Sequence, residues 1–439
     1  MINILIVGSG AREHAIATAL SKSENKPKIY CFGTTRNPGI QRLTSDYWVG
    51  DITDPEQVNQ QAKEWEINLA IIGPEAPLEH AVADALWDCG IPVIGPRKNL
   101  AKIETSKAFA RELMEKYGIP GLPKYKVFTS LEGIGEFLSE LGENNYVVKA
   151  NGLMAGKGVK VGGEHLLSFE EALNYCKEIF THNQSLVIEE KLIGQEFSFM
   201  CFSDGISLVP MPIVQDHKRA YEHDEGPNTG GMGSYSAADH SLPFLSPEDV
   251  RAAFEINQSV IKALMTEMSD KYIGILYGGF MATAHGVYVI EFNARFGDPE
   301  ALNVLSLLES DFVKLCVAMA NGNLQKESVR FLNQATVCKY AVPDGYPDNP
   351  LRHVEIDISA VEPKDTLYLA AVNFKDGKLY ATGSRTAAYV GIANTISEAE
   401  EIAEQQIKNI KGPLFHRKDI GTSPLINTRV EVMRRLRAL

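Results

Sequence analysis

The sequence of 439 residues predicts a multidomain protein of α/β and α+β class. At roughly 100–200 residues per domain, this length accommodates about three or four domains. The N-terminal part alternates short apolar strands with helices, which is typical of a parallel sheet covered on both faces. Longer strands and two long helices follow, and the C-terminal part is rich in predicted strands.

Glycine turns follow the predicted strands of the N-terminal α/β domain, residues 1–103. The predicted strands lie at 2–7, 28–32, 70–72 and 92–94, and the predicted helices lie at 12–20 and 81–89. Because ligands bind at the carboxyl ends of parallel strands, the turns at those ends are candidate binding elements. They contain Gly8-Ser9-Gly10, Gly73-Pro74-Glu75 and Gly95-Pro96.

Three further units are predicted along the chain. A helix at 100–116 and a link rich in glycine and proline at 118–123 lead into a small lid at 126–190, which has strands at 146–149, 159–161 and 186–190. The central domain comprises residues 104–125 and 191–325, with helices at 247–269 and 299–321. The C-terminal β-rich domain comprises residues 326–439, with strands at 335–340, 367–374 and 387–393 and a helix at 396–407.

Composition excludes several classes of protein. The net charge of -13, from 43 Lys and Arg against 56 Asp and Glu, argues against broad nucleic-acid binding. Six scattered cysteines without a CxxC spacing indicate reduced thiols. The N-terminus reads as a strand rather than a signal peptide, and no apolar run approaches the roughly 20 residues that span a bilayer. We therefore expect a cytoplasmic protein, a monomer without a nucleic-acid or membrane partner.

The turn at Gly8-Ser9-Gly10 begins like a dinucleotide-binding motif, but Glu13 replaces the third glycine. A charged residue at that position opposes binding of NAD or FAD. The turn still favours an anion, because it opens a helix whose N–H groups point at it and because Arg12 adds donors suited to phosphate. The alternative is a simple tight turn between a strand and a helix.

A second glycine-rich segment is KANGLMAGKG, residues 149–158. It resembles a P-loop, but its first spacing is one residue short and Gly158 stands where a P-loop has Ser or Thr. It also lies between two predicted strands. Such a loop can fold over phosphates as a flap, with Lys149, Lys157 and the N–H groups near Gly156 contacting the oxygens. The alternative is a flexible hairpin with solvated lysines.

Glu291, Asn293 and Arg295 share one face of a predicted strand because side chains alternate along strands. A carboxylate, an amide oxygen and a guanidinium on one face suit Mg²⁺ together with an anionic substrate. The alternative is an exposed edge strand with an internal salt bridge. The predicted catalytic residues are Arg295 and, from the polar run at 215–219, Asp216 and Lys218. His217 has no base partner that the sequence identifies, so it is not predicted to be catalytic.

Taken together, these segments resemble the ATP-grasp superfamily and, within it, the phosphoribosylamine–glycine ligase family. The matching segments are GSGAREHA at 8–15, GPEAPL at 73–78, ETSKAFA at 104–110, VVKANGLMAGKGV at 147–159, VIEE at 187–190, QDHKR at 215–219, GPNTGGMG at 226–233, EFNARFGDPE at 291–300 and RKDIG at 417–421. The chain differs from the family pattern at Ala11, Asn151, Met154 and Ala301-Leu302.

The resemblance implies an ATP-grasp central body with a small lid, an N-terminal substrate domain and a C-terminal domain. It also implies the ligation of glycine to 5-phosphoribosylamine in purine biosynthesis. The reaction would consume ATP, require Mg²⁺ or Mn²⁺, pass through glycyl phosphate, and give glycinamide ribonucleotide, ADP and phosphate. A different carboxylate ligase of the same superfamily, an oxidoreductase and a non-catalytic nucleotide-binding regulator are the alternatives.

The resemblance also implies roles for individual residues. Lys107 and Lys149, with Gly156, Lys157 and Gly158, would hold the ATP phosphates. Glu189, Glu190 and Leu192 would read adenine at a hinge, and Glu196 would bind the ribose. Glu291 and Asn293 would be the metal ligands. The predicted substrate contacts are Gly8, Ser9, Gly10, Arg12, Glu13, Glu75, Asp298 and Glu300.

Overall fold

In the computed structural model, which describes residues 2–154 and 158–438, the N-terminal unit is a five-stranded parallel sheet flanked by helices. The strands are β1 (Asn3–Val7), β2 (Lys28–Gly33), β3 (Asp46–Val49), β4 (Leu69–Ile72) and β5 (Val93–Ile94). The helices are α1 (Ala11–Ser21), α2 (Pro38–Gln41), α3 (Pro55–Glu64), α4 (Ala76–Glu79), α5 (Val82–Asp88) and α6 (Lys98–Thr105). The strand order β3-β2-β1-β4-β5 places the ends of β1 and β4 side by side, where the order reverses.

The predicted helix at 100–116 is wrong in one respect, because the structure divides it into two helices. After α6, the backbone of Ser106 is extended, and its hydroxyl accepts a hydrogen bond from the N–H of Phe109 at 3.2 Å. This cap begins helix α7 (Lys107–Lys116). Lys107 is therefore the first residue of a new helix rather than a residue in the middle of a long one.

The lid is an antiparallel sheet with helices on one side and a hydrophobic core of its own, which includes Phe128, Leu138 and Tyr146. Its elements are β6 (Tyr125–Phe128), α8 (Ile134–Leu141), β7 (Tyr146–Ala150), β8 (Val159–Val161), α9 (Phe169–Phe180) and β9 (Leu186–Glu190). The strand order is β6-β9-β7-β8. Because its core is separate from the main one, the lid is a distinct packing unit.

The central unit is built on two long antiparallel strands paired along their whole length, from Gly194 with Thr283 to Asp204 with Ile273. Its strands are β10 (Gly194–Asp204), β11 (Leu208–Pro210), β12 (Gln215–Asp216), β13 (Arg219–Tyr221), β14 (Glu225–Asn228), β15 (Gly233–Ser236), β16 (Ile273–Thr283) and β17 (Gly286–Asn293). Its helices are α10 (Pro247–Met268), α11 (Glu300–Leu307) and α12 (Phe312–Ala320). The sheet order is β11-β10-β16-β17, which sets β17 at one edge.

The predicted helix at 299–321 is also wrong as a single helix. It ends at Leu307, and the carboxylate of Asp311 accepts a hydrogen bond from the N–H of Lys314 at 3.1 Å to start α12. Between the two helices, Leu308 forms a β-bridge with Phe331. The interruption lets the chain turn while the backbone groups of the break remain paired.

The C-terminal unit is mainly antiparallel sheet. Its elements are β18 (Ala335–Pro343), β19 (Val354–Ile356), β20 (Leu367–Leu369), β21 (Val372–Lys375), β22 (Lys378–Ala381), β23 (Ala387–Ala393), α13 (Ile396–Ile407), β24 (Leu414–Phe415) and α14 (Ser423–Ala438). The predicted strand at 367–374 is thus two strands. One sheet, β12-β15-β18-β23-β20, joins strands that lie before and after residue 325, so the C-terminal unit anchors the loop at 226–233. The division into domains given above stays a prediction.

Among the described residues, none of the helices combines the length and the apolar character needed to cross a membrane.

A neutral histidine joins the N-terminal and C-terminal units. His14 on α1 accepts a hydrogen bond at Nδ1 from the backbone N–H of Leu369, at 2.9 Å. Burial is the main reason that the pKa of His14 is lowered to about 4, and Arg42 lowers it further. The imidazole is therefore neutral at physiological pH and can act as this acceptor.

We expect folding stability to rise with pH between about 4 and 6.5, because His14 binds a proton over that range in the unfolded chain but not in the folded one. Across the whole of that pH range, the free energy of unfolding should rise by on the order of 3 kcal/mol. Urea-unfolding midpoints at pH 5 and pH 7 measure it. His14→Asn keeps an acceptor and should flatten the pH dependence, whereas the exposed His182→Asn should not. An unchanged slope in His14→Asn would contradict the assignment.

Candidate active site

Glu13 occupies the glycine turn at the centre of the parallel sheet. Its carboxylate accepts a hydrogen bond from the N–H of Gly10 at 2.5 Å, within the first turn of α1. A Cβ on Gly73 would lie 1.9 Å from Glu13 Oε1, so glycine at this position makes room for the carboxylate. A buried negative charge here opposes a dinucleotide pyrophosphate, in agreement with the argument from the sequence against a NAD site.

Arg12 connects this turn to the loop that follows β17. Its Nε pairs with Glu13 at 2.7 Å, and its Nη1 donates to the carbonyl of Phe296 at 3.1 Å. Oδ2 of Asp298, in the same loop, lies 4.0 Å from the position of a Cβ on Gly10. Ser9 is at the mouth of the turn, with its hydroxyl 3.2 Å from that of Thr34. The turn and the loop at 294–300 therefore face each other.

Arg295 lies between two carboxylates from different units. It forms an ion pair with Glu75 at 3.3 Å and another with Glu104 at 2.9 Å, and its Nη2 donates to Asn293 Oδ1 at 3.2 Å. Burial lowers the pKa of Arg295, but Glu104 and Glu75 outweigh that effect and raise it. Since β17 ends at Asn293, the prediction that Arg295 continues the strand is wrong. Arg295 and Asn293 nevertheless remain in contact through the hydrogen bond between them.

Sequence reasoning missed Glu104. It lies on the buried face of α6, where its second oxygen accepts a hydrogen bond from the N–H of Ala294 at 2.7 Å. Burial is the main reason that the pKa of this carboxyl is raised to about 7, and Arg295 opposes the shift. A carboxylate on the apolar face of a helix was a signal in the sequence, because such a residue needs a partner.

A cleft is lined by residues of β10, β12, β16 and the edge strand β17. Lys218 projects into it, with Nζ 3.8 Å from Glu291 and 4.0 Å from Glu196. Burial raises the pKa of Glu291, but Lys218, Lys149 and Lys107 outweigh it and hold this pKa below its usual value. The cleft is lined by Glu196, Phe197, Ser198, Asp216, Lys218, Tyr277, Gly279, Phe280, Ile290 and Glu291. Most of its charged groups are therefore predicted site residues.

The two predicted phosphate lysines approach the cleft from different units. Lys149 on β7 is buried, and its ammonium contacts Glu189 at 2.7 Å and the carbonyl of Ile290 at 2.9 Å. Lys107, at the start of α7, donates to the carbonyl of Gly152 at 2.9 Å. Of the other predicted phosphate contacts, Gly158 precedes β8, while Gly156 and Lys157 lie outside the described residues.

Comparison with known proteins identifies the family. Models of phosphoribosylglycinamide synthetase match this chain over residues 2–104 (N domain), 105–301 (ATP-grasp A domain) and 336–423 (C domain). The chain is 50% identical to a phosphoribosylamine–glycine ligase of Methanosarcina barkeri, over 99% of this chain and 100% of that protein. The chain belongs to the phosphoribosylamine–glycine ligase family.

Two further family members agree with this assignment. A phosphoribosylamine–glycine ligase of Methanocella arvoryzae is 47% identical over 99% of this chain and 100% of its own length. The crystal structure of a phosphoribosylamine–glycine ligase from Thermotoga maritima superposes with a TM-score of 0.81 at 29% identity, covering 95% of this chain and 100% of that one. The predicted fold class, the ATP-grasp superfamily and the ligase class are therefore confirmed.

The residues predicted to read adenine lie where the lid joins the central unit of the ligase. The Glu189 carboxylate is turned inward onto Lys149, and Glu190 accepts a hydrogen bond from the N–H of Lys124 at 2.7 Å. Leu192 lies between β9 and β10. The roles of these residues stay predictions.

Tyrosine hydroxyls hold two of the three predicted acidic residues Asp216, Asp298 and Glu300. Glu300 accepts a hydrogen bond from the Tyr277 hydroxyl at 2.8 Å, and Asp298 accepts one from Tyr340 at 2.6 Å. Asp216 Oδ1 is buried without a hydrogen-bond partner among the described residues. Its pKa is raised well above the usual value, first by burial and then by Glu300, although Lys218 opposes the shift.

Arg385 of the C-terminal unit was not found from the sequence. It forms an ion pair with Asp298 at 3.0 Å and donates to the carbonyls of Gly230 at 2.7 Å and Asp298 at 3.0 Å. It therefore fastens the glycine-rich loop at 226–233 to the loop at 294–300. These contacts span 87 residues or more of sequence, so local spacing carried no signal.

We expect Arg385→Ala to release both loops, because the guanidinium holds their carbonyls and a carboxylate together. Hydrogen exchange measured by mass spectrometry should speed up at 226–233 and 294–300 and remain unchanged in the lid. The exposed Arg330→Ala serves as the control and should leave exchange unchanged throughout. Unaltered protection of both loops in Arg385→Ala would contradict this role.

Proposed function

We propose that this protein ligates glycine to 5-phosphoribosylamine with ATP, giving glycinamide ribonucleotide, ADP and phosphate by way of glycyl phosphate. The observation that carries the proposal is the arrangement of Lys107, Lys149 and Lys218 around Glu291, next to a glycine turn that carries Arg12. The first group suits a polyphosphate and a metal, and the second suits a sugar phosphate. The names of the similar proteins support the same pair of substrates.

ATP would lie between the lid and the central sheet. Lys107 and Lys149, with the loop that contains Gly156, Lys157 and Gly158, would hold its phosphates. The backbone at Glu189, Glu190 and Leu192 would contact adenine. Glu196, whose side chain is half exposed beside the cleft, would bind the ribose. The separate core of the lid suits closure over the nucleotide as one unit.

Glu291 and Asn293 fit a magnesium or manganese site. They provide hard oxygen donors at the end of β17, and Glu291 faces the cleft. The described residues contain no group of three or more His, Cys, Asp or Glu side chains that could hold a metal alone. This suits Mg²⁺, which takes few protein ligands and completes its shell with phosphates and water. The ion would neutralise charge on the phosphates during transfer.

The chemistry requires activation of glycine, because an amine does not displace oxide from a carboxylate at neutral pH. A glycine carboxylate oxygen would attack the γ-phosphorus of ATP, forming glycyl phosphate and ADP. The amine of phosphoribosylamine would then attack the acyl carbon, forming the amide bond as phosphate leaves. Arg295 and Lys218 would stabilise the developing negative charge, and Asp216 would orient the reacting groups. Exclusion of water by the closed lid would protect the anhydride.

Phosphoribosylamine would bind at the switch point of the parallel sheet. Gly8, Ser9 and Gly10 would form the turn beside its phosphate, and the N–H of Ser9 and the guanidinium of Arg12 would donate to the phosphate oxygens. The carboxylates of Glu13, Glu75, Asp298 and Glu300 would contact the sugar or fix the cations around it. We also propose that the enzyme acts in the cytoplasm as a monomer.

Phosphate release in the presence of ATP, Mg²⁺ and glycine tests the reaction, with and without phosphoribosylamine. Release should require both substrates. Equal release with formate in place of glycine would overturn the proposal.

Glu291→Ala should lower the rate by roughly 100-fold or more, the size of loss seen when one group that stabilises a transition state is removed. Glu255→Ala, an exposed change on α10, should leave the rate unchanged.

Arg12→Ala should raise KM for phosphoribosylamine by roughly tenfold or more, since one charge-assisted hydrogen bond is worth about that factor. KM for ATP should remain within a factor of about two, because Arg12 faces the glycine turn and not the lid. Steady-state kinetics with each substrate varied in turn separates the two constants. An unchanged KM for the sugar would refute this role for Arg12.

A further inference from the structure

Arg111 on α7 is a buried guanidinium that no step of the reaction uses directly. It is 2% exposed. Its Nε and Nη2 donate to the two oxygens of Glu189 at 2.7 and 3.0 Å. Nη2 also approaches the carbonyls of Val289 at 3.0 Å and Ile290 at 2.7 Å. Arg111 lies four residues after Lys107, so both side chains emerge from the same face of α7.

The carbonyl of Ile290 is available because β17 has a bulge there. Gly279 pairs with Glu291 and Phe280 pairs with Val289, so Ile290 is the extra residue in its strand. An extra residue of this kind lacks a partner in the ladder. Its carbonyl accepts hydrogen bonds from Arg111 and from Lys149 instead. The residue immediately after the bulge is Glu291.

Glu189 therefore has two cationic partners. Arg111 contacts both of its oxygens, and Lys149 contacts Oε2 at 2.7 Å. Burial raises the pKa of Glu189, but Arg111 and then Lys149 outweigh it and lower this pKa to about 2. Within direct contact, one carboxylate faces two cations, and the further carboxylate that acts on Lys149 is Glu291. An ammonium has three N–H donors, and the described residues engage two of those of Lys149.

We propose that Arg111 is a positioning residue for ATP: it neutralises Glu189, so that Lys149 keeps a cationic N–H for a phosphate oxygen instead of serving as the counter-ion of Glu189. The inference rests on the proposed function, in which Lys149 holds ATP phosphates. An arginine suits this place because its rigid fork of donors meets both carboxylate oxygens and two carbonyls at once. A lysine could supply the charge but not the fork.

Substituting both members of the pair separates this role from a merely structural one. In Arg111→Met, Glu189 retains Lys149 as its cationic partner, and the dissociation constant for MgATP should rise roughly tenfold or more. In Arg111→Met/Glu189→Gln the competing carboxylate is gone, and most of the MgATP affinity should return. The constant for adenosine should change by less than about twofold in Arg111→Met, because adenosine has no phosphate.

Isothermal titration calorimetry of the full chain with MgATP and with adenosine measures these constants. Lys116→Met, an exposed change on the same helix, is the control and should bind both ligands normally. The inference would be overturned if the double variant bound MgATP more weakly than Arg111→Met does. It would also be overturned if Arg111→Met lost as much affinity for adenosine as for MgATP. If Arg111→Met does not fold, Arg111→Gln decides the question, since it removes the charge but keeps hydrogen-bond donors and should weaken MgATP alone; unchanged MgATP binding would overturn the inference.

The same samples distinguish the two proposals. If the parent protein binds MgATP but releases phosphate with formate as readily as with glycine, the proposed function is wrong and the role of Arg111 still stands. Parent protein that ligates glycine, together with an Arg111→Met variant that binds MgATP normally, would remove the role of Arg111 alone.

Discussion

Two buried cations share one buried carboxylate where the lid meets the central sheet. Arg111 and Lys149 both contact Glu189, and both also hold the carbonyl of Ile290. A protein interior holds an unbalanced charge only at a high cost in free energy, so the two cations depend on Glu189 and, for Lys149, on the more distant Glu291. The same contacts join a lid strand to the edge strand that carries Glu291. Charge balance and lid position are therefore set by one group of atoms.

The cations of the candidate site are held by carboxylates before a substrate arrives. Arg295 lies between Glu75 and Glu104, and Lys218 lies near Glu291 and Glu196. Such pairs fix each donor in place, so little reorganisation is required when negative charge develops on a substrate.

Much of the fold could be predicted from the sequence, because continuous apolar strands and glycine-containing turns can be recognised from short stretches of residues. Strand β3 was missed because its sequence, DYWV, begins with a charge and leaves Trp48 and Val49 exposed. The breaks at Ser106 and Asp311 were missed because the helical apolar pattern continues across them, although both residue types are good helix caps.

The site was predictable to a different extent. Residues in compact motifs, such as Glu291 and Asn293, could be grouped because strand alternation places their side chains on one face. The contacts of Arg111, Glu104 and Arg385 could not be predicted, since their partners lie 78, 190 and 87 residues away. Only the folded chain brings such pairs together, and a single sequence contains no record of that proximity.

The sheet that joins β15 to β18 constrains how this family can vary. A Cβ on Gly233 would lie 2.2 Å from the carbonyl of Cys338, so only glycine lets the two segments pair this closely. The obstacle is a backbone atom, so no side-chain change on the facing strand would relieve it, and an insertion in either strand would shift the loops beside the sheet. The lid packs around its own core and is free of that restriction. The lid can therefore vary in sequence without disturbing the place where β15 meets β18.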